Sequence, residues 1–134
     1  MFMFDRLDEQ LVKAVIETIP AEITVIDAND EVVAWNRHEN RLFHRPMTSM
    51  GLNFRKCHPA HSLAKVEQIV AEMKAGTRQQ ARFWINAKVG DGRHMVLIEF
   101  FALRGDEGKY LGCLEVTQDI EEHRNLAGEK RLLD

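Results

Sequence analysis

Two cysteines, Cys57 and Cys113, in 134 residues are too few for a disulfide framework and fit a reducing compartment. No charge sign dominates either. Eighteen Lys and Arg stand against 21 Asp and Glu, interspersed along the chain, and the net charge of −3 removes the electrostatic case for general nucleic-acid binding. No apolar run is long enough for a membrane span, and Met1-Phe2-Met3-Phe4-Asp5 has no basic region of the kind that opens a cleaved signal. The cytoplasm is therefore the expected location, with neither nucleic acid nor membrane as a partner. Internal repeats, low-complexity linkers and a second domain are also missing, and this length suits a single core.

What is present is a change of hydrophobic period along the chain. Leu7, Leu11, Ala14, Val15 and Ile19 share a helical face, with Asp5 as the expected cap and Pro20 as the stop. This apolar stripe needs a partner. Ile23–Ile26 and Glu31–Trp35 read as paired strands around the turn Asp27-Ala28-Asn29-Asp30. Asn36 is the expected cap of a short helix reaching Phe43, and Pro46, Gly51 and Pro59 make the following stretch irregular. Ser62 is placed to cap an amphipathic helix carrying Leu63, Val66, Ile69, Val70 and Met73, which Gly76 ends. Next, Ala81, Phe83, Ile85, Ala87 and Val89 alternate with Arg82, Trp84, Asn86 and Lys88, the pattern of a half-buried strand. Met95–Leu103 is apolar on both faces except at Glu99 and reads as an interior strand between the turns Gly90-Asp91-Gly92 and Gly105–Gly108. A last strand, Leu111–Thr117, leads to Asp119 and Glu122 in capping-box spacing, predicting a terminal helix. The order predicts an α+β fold, with antiparallel hairpins at both ends and helices gathered between them.

Four stretches carry a family resemblance: Asp27–Asn36; Cys57-His58-Pro59 with Ser62–Gly76; Phe83-Trp84-Ile85 with Phe100–Arg104; and Gly108–Glu122 extended by Gly128–Leu133. Together they resemble a PAS domain, of the subfamily often found beside hemerythrin-like domains. The resemblance implies a five-stranded antiparallel sheet with helices on one side and flanking helices at both termini. It divides the chain into an N-terminal flanking helix (1–20), a core (21–118) and a C-terminal signalling helix (119–134). It also implies a sensor and signal-transduction module, homodimeric through its flanking helices and not an enzyme. Such a module binds a small molecule or haem in its core, or else serves as a ligand-free module for protein–protein interaction.

The candidate ligand-binding residues are His58, His61, His44, Trp84, Asn86 and Phe101. An imidazole beside an apolar pocket is a suitable axial ligand for haem iron, and His58 and His61, just before the amphipathic helix, are better placed than His44. The same histidines also have structural uses, such as hydrogen bonding to nearby backbone. Zinc held by Cys57, His58 and His61 is a weaker reading, because no second compact ligand pair follows. Flavin is weaker than haem. The light-sensing PAS domains place a reactive cysteine in Gly-x-Asn-Cys-Arg-Phe, and here Gly51-Leu52-Asn53-Phe54-Arg55-Lys56 puts Phe54 at the thiol position. Trp84 and Phe101 bring apolar surface and Asn86 a polar amide, although each is equally at home in ordinary sheet packing.

Overall fold

The computed structural model describes residues 3–133. Five antiparallel strands form one sheet: β1 (Glu22–Asp27), β2 (Val32–Trp35), β3 (Gln80–Val89), β4 (Gly92–Arg104) and β5 (Tyr110–Asp119), in the spatial order β2-β1-β5-β4-β3. This is the α+β fold with a five-stranded antiparallel sheet that the sequence predicts. The last strand in sequence is thus the middle strand in space. Period-two alternation then decides which side chains meet. Thr24 lies opposite Glu115 and Ile26 opposite Cys113, while Ile98 and Phe100 on β4 lie opposite Thr117 and Glu115. On this inner face Ile26, Val96, Ile98, Phe100 and Cys113 close on Val66, Val70 and Met73 of helix α2 (Ala60–Lys74) and on Phe54, forming the buried core. Each such aliphatic or aromatic side chain contributes about 1.5–3 kcal/mol by leaving water.

Helix α2 starts three residues earlier than predicted. Pro59 takes the N-cap position, and its carbonyl accepts the Ser62 hydroxyl at 3.2 Å, so Ser62 is not the cap. Gly76, at φ +81°, ends the helix as predicted and positions the Thr77 N–H on the Glu72 carbonyl at 3.0 Å. Helix α1 (Glu9–Thr18) is capped by Asp8, whose carboxylate accepts from the Leu11 N–H at 2.7 Å, and not by Asp5. Asn36 caps no helix. It is fully buried, accepting from the Ile23 N–H at 2.7 Å and donating to the carbonyls of Ile16 and Ala21 at 2.8 and 3.0 Å. A buried amide satisfied in this way ties α1 to the start of β1. Between it and Phe43 the chain makes one 3-10 turn, His38–Asn40, in place of the expected helix. The β1–β2 turn is pinned to the far end of α2 through Asp30, which sits 2.7 Å from Lys74 Nζ and 3.1 Å from Arg55 Nη1. Burial alone would raise the Asp30 carboxyl, but these two cations hold it below its ordinary value.

The predicted terminal helix does not form within the described residues. Asp119 remains in β5, one carboxylate oxygen lying 2.6 Å from His94 Nδ1 and the other accepting the Glu121 N–H at 3.0 Å. The chain then makes one 3-10 turn, Glu122–Asn125, and passes through Gly128 at φ +65° and Leu132 at φ +52°. Helix nucleation is costly, and here no apolar face packs on the sheet to offset it. Among the described residues no helix is long and apolar enough to cross a membrane.

Candidate functional site

The edge strand β3 departs most from its expected burial, and the departure creates the site. Phe83 and Ile85 point to the inner face, yet they stay 38% and 40% exposed, outside the buried cluster that α2 closes on β1, β4 and β5. The space left over is a cavity of about 400 Å³, within the ordinary range for small-molecule sites. Its sheet wall is Phe83, Ile85, Ile98, Phe100 and Glu115. Its opposite wall comes from Phe43, His44 and Arg45, from Cys57, His58 and Pro59, and from the first turns of α2. The irregular stretch that proline and glycine impose between β2 and α2 thus supplies one side of the pocket.

His44, His58 and His61 are all brought to this cavity. His58 is the most constrained of the three. Its Nδ1 lies 3.0 Å from the Phe54 carbonyl, and its ring stands edge-on to Phe54 with centroids 6.0 Å apart. A carbonyl only accepts, so Nδ1 is the donor in this contact, and Nε2 is the ring nitrogen that it leaves unengaged. Trp84, Asn86 and Phe101 are elsewhere. Alternation puts them on the outer face of the sheet, where Trp84 is 62% exposed and Asn86 accepts from Arg93 Nε at 2.9 Å. Three of the six candidates therefore line the cavity and three do not. Among the described residues no cluster of three His, Cys, Asp or Glu is able to hold a metal ion, so Cys57, His58 and His61 make no zinc site.

Sequence reading missed the polar floor of the cavity. Arg45 Nη2 meets Glu115 Oε2 at 3.2 Å, and both side chains are 12% exposed. Arg45 Nε also donates to Thr24 Oγ1 at 3.0 Å. The same hydroxyl accepts from Arg41 Nη2 at 3.3 Å, and Arg41 stands 3.7 Å from Glu22. Burial pushes the Arg41 guanidinium below its usual value, opposed by the carboxylates of Glu22 and Glu115. Two cations and two anions are thus threaded through Thr24 beneath the apolar walls. One signal was available in the sequence: Glu115 lies on the same side of its strand as Cys113 and Thr117, so a carboxylate occupies a core-facing position.

At the sheet end where β5 leaves the fold, His94 and Asp119 form the close pair already described. The hydrogen bond that Asp119 accepts from His94 raises the His94 pKa above 6.5, outweighing the opposing effect of desolvation, and lowers that of Asp119. The raised His94 value means the pair contributes fully below the ordinary imidazole range and is lost as pH rises through the raised value. Asp119 loses its share only as pH falls through its depressed value. We expect the His94 ring to titrate above 6.5 by NMR and to return toward that value in Asp119→Asn. An unshifted midpoint in the wild type would show that the pair does not form in solution.

Comparison with known proteins agrees with this geometry. No curated protein matches the chain. Among solved structures, a C-terminal domain from Streptococcus mutans superposes with a TM-score of 0.81 at 25% identity, over 90% of this chain and 91% of that one. A PAS domain from Colwellia psychrerythraea gives 0.60 at 14% identity, over 84% of this chain and 97% of that one. A sensory box sensor histidine kinase from Vibrio cholerae gives 0.57 at 12% identity, over 82% and 89% of the two chains. Residues 12–121 match the PAS domain family, which spans the sheet, α2 and every wall of the cavity, and the chain belongs to that family.

Proposed function

We propose that this PAS domain is the ligand-binding sensor of a signalling protein, taking a small molecule into the cavity between α2 and strands β3, β4 and β5. The observation that carries the reading is the cavity itself: apolar walls with a few polar groups fixed on the scaffold, in a domain whose relatives act in sensing and signalling. We read the domain as non-catalytic, signalling by differential binding of its ligand to two conformations. The unpaired cysteines fit a cytoplasmic setting. The four motif stretches further favour the subfamily that accompanies hemerythrin-like domains.

A homodimer is the proposed assembly. Helix α1 buries no side chain in its own chain, and Leu11, Val12, Val15, Ile16 and Ile19 remain between 37% and 49% exposed. A second copy would cover that stripe and couple the Asn36-anchored helix to the sheet.

His58 favours haem as a second reading. Its Nδ1 is fixed by the Phe54 carbonyl, the arrangement that orients a ligating imidazole and leaves Nε2 for iron. Haem would supply gas or redox sensitivity, with His58 holding it and Phe43, Phe83 and Phe100 excluding water.

The test pairs thermal denaturation against a small-molecule library with absorption spectra before and after haem addition. We expect at least one compound to raise Tm in the wild type and not in Ser62→Trp, which fills the cavity mouth. A Soret band abolished by His58→Ala would favour haem instead. Neither a shift nor a band would leave the ligand-free interaction module as the function.

A further inference from the structure

The polar floor constrains what the cavity accepts. Of the five N–H groups of Arg45, Nε donates to Thr24 and one on Nη2 to Glu115; Nη1 has no partner among the described residues. Glu115 receives Arg45 through Oε2, and its Oε1 likewise has no side-chain or backbone donor among them. Both residues line the cavity. The ion pair therefore keeps donor and acceptor capacity that no described residue uses, in a cavity that Phe43, Phe83 and Phe100 also line.

Charge balance excludes the simplest complements. A carboxylate ligand drawn to Arg45 meets Glu115 in the same step, and a cation drawn to Glu115 meets Arg45. Either must split a pair that is largely out of water, and the group left behind is a buried, uncompensated charge. The Arg41–Glu22 pair beyond Thr24 is itself neutral and offers no net field to offset that cost. An uncharged ligand can instead use both free edges at once, with its C=O accepting from Arg45 and its N–H donating to Glu115. The flat apolar walls favour an aromatic body.

Building on the reading of this cavity as the ligand site, we infer that it recognises an uncharged, planar heterocycle with adjacent ring N–H and C=O groups, a lactam or cyclic imide, through the free edges of the Arg45–Glu115 pair. The three imidazoles at the rim, with donor and acceptor atoms of their own, tune which heterocycle is held.

The test measures binding of four probes to the full chain by calorimetry at pH 7.5: 2-quinolone, N-methyl-2-quinolone, quinoline and quinoline-2-carboxylate. The lactam is expected to bind about tenfold or more tighter than the other three, because each of them leaves a buried polar group unpaired or a charge opposed. In Glu115→Gln the amide oxygen can keep the Arg45 bond while its NH2 faces the ligand N–H. That variant should lose about tenfold for 2-quinolone and little for N-methyl-2-quinolone, and Arg45→Lys should weaken 2-quinolone as well. Circular dichroism establishes that both variants are folded. Equal binding of the two lactams, or indifference to Glu115→Gln, would overturn the inference while leaving the cavity a ligand site. So would tightest binding by the carboxylate. Silence from all four probes also overturns it; the broader reading falls separately, if no library compound shifts Tm and no Soret band forms.

Discussion

Replacing Gly112 by alanine is expected to destabilise the domain by about 3–5 kcal/mol, a loss on the order of 10–15 °C in Tm for a domain of this size. Gly112 lies on the middle strand β5, opposite Asp27 on β1 and Leu103 on β4. A Cβ there would sit 2.2 Å from the Ile26 carbonyl oxygen and 3.1 Å from the Asp27 Cα. Both obstacles are backbone, held by the β1–β5 ladder, so neither can rotate away. Gly105→Ala serves as the control. Its Cβ would meet the Leu111 side chain at 3.2 Å, a flexible group that can yield. Thermal denaturation should separate the two variants clearly; equal Tm values would mean that β5 does not approach β1 so closely.

Arg41→Met is expected to cost about 3–5 kcal/mol, the range for stranding one member of a buried ion pair. Arg41 and Glu22 are only 3% and 6% exposed. Arg41 also donates to the Asn36 carbonyl at 2.7 Å and to Thr24. Without it, Glu22 keeps, among the described residues, only the N–H groups of Leu42 and Phe43. Adding Glu22→Gln removes the stranded charge and preserves an acceptor for the Leu42 N–H, so the double variant should recover a substantial part of the loss in chemical denaturation. A single variant as stable as the wild type would show that the charged chain beneath the cavity is solvated. It would also weaken the argument that Arg45 is rigidly placed, since Thr24 is shared by both arginines.

Sheet and core were legible because their signal is local and periodic. Alternation in Ala81–Val89 and helical spacing in Leu63–Met73 assigned both type and inward face, and the turns at Asp27–Asp30, Gly90–Gly92 and Gly105–Gly108 fixed the hairpins. Helix starts were less legible because capping is decided by one hydrogen bond among several nearby candidates. Asp8 captured the Leu11 N–H where Asp5 was expected, and Asn36 turned inward to tertiary partners. The terminal helix was misread for a different reason. Asp119 does accept the Glu121 N–H as a cap would, but capping alone does not make a helix, and the residues after it pack no apolar face on the described fold and form one 3-10 turn.

The cavity was half legible. His58 and His61 stand at the start of α2 and His44 in the irregular stretch before it, so a shared wall was suggested by their common region of the chain. Trp84, Asn86 and Phe101 were chosen for chemistry without regard to register, and alternation carries them to the other face. Arg45 and Glu115 are 70 residues apart in the chain and meet only because Thr24 and Glu115 are paired across β1 and β5. No periodicity in one strand discloses that.

Native mass spectrometry of the gently purified protein, wild type beside Ser62→Trp, decides whether the cavity holds a ligand. A bound mass is expected on the wild-type domain and not on the variant, with both folded and in the same oligomeric state. A wild-type spectrum with no added mass, or an added mass that survives in Ser62→Trp, would contradict the cavity as the place where this domain holds its ligand.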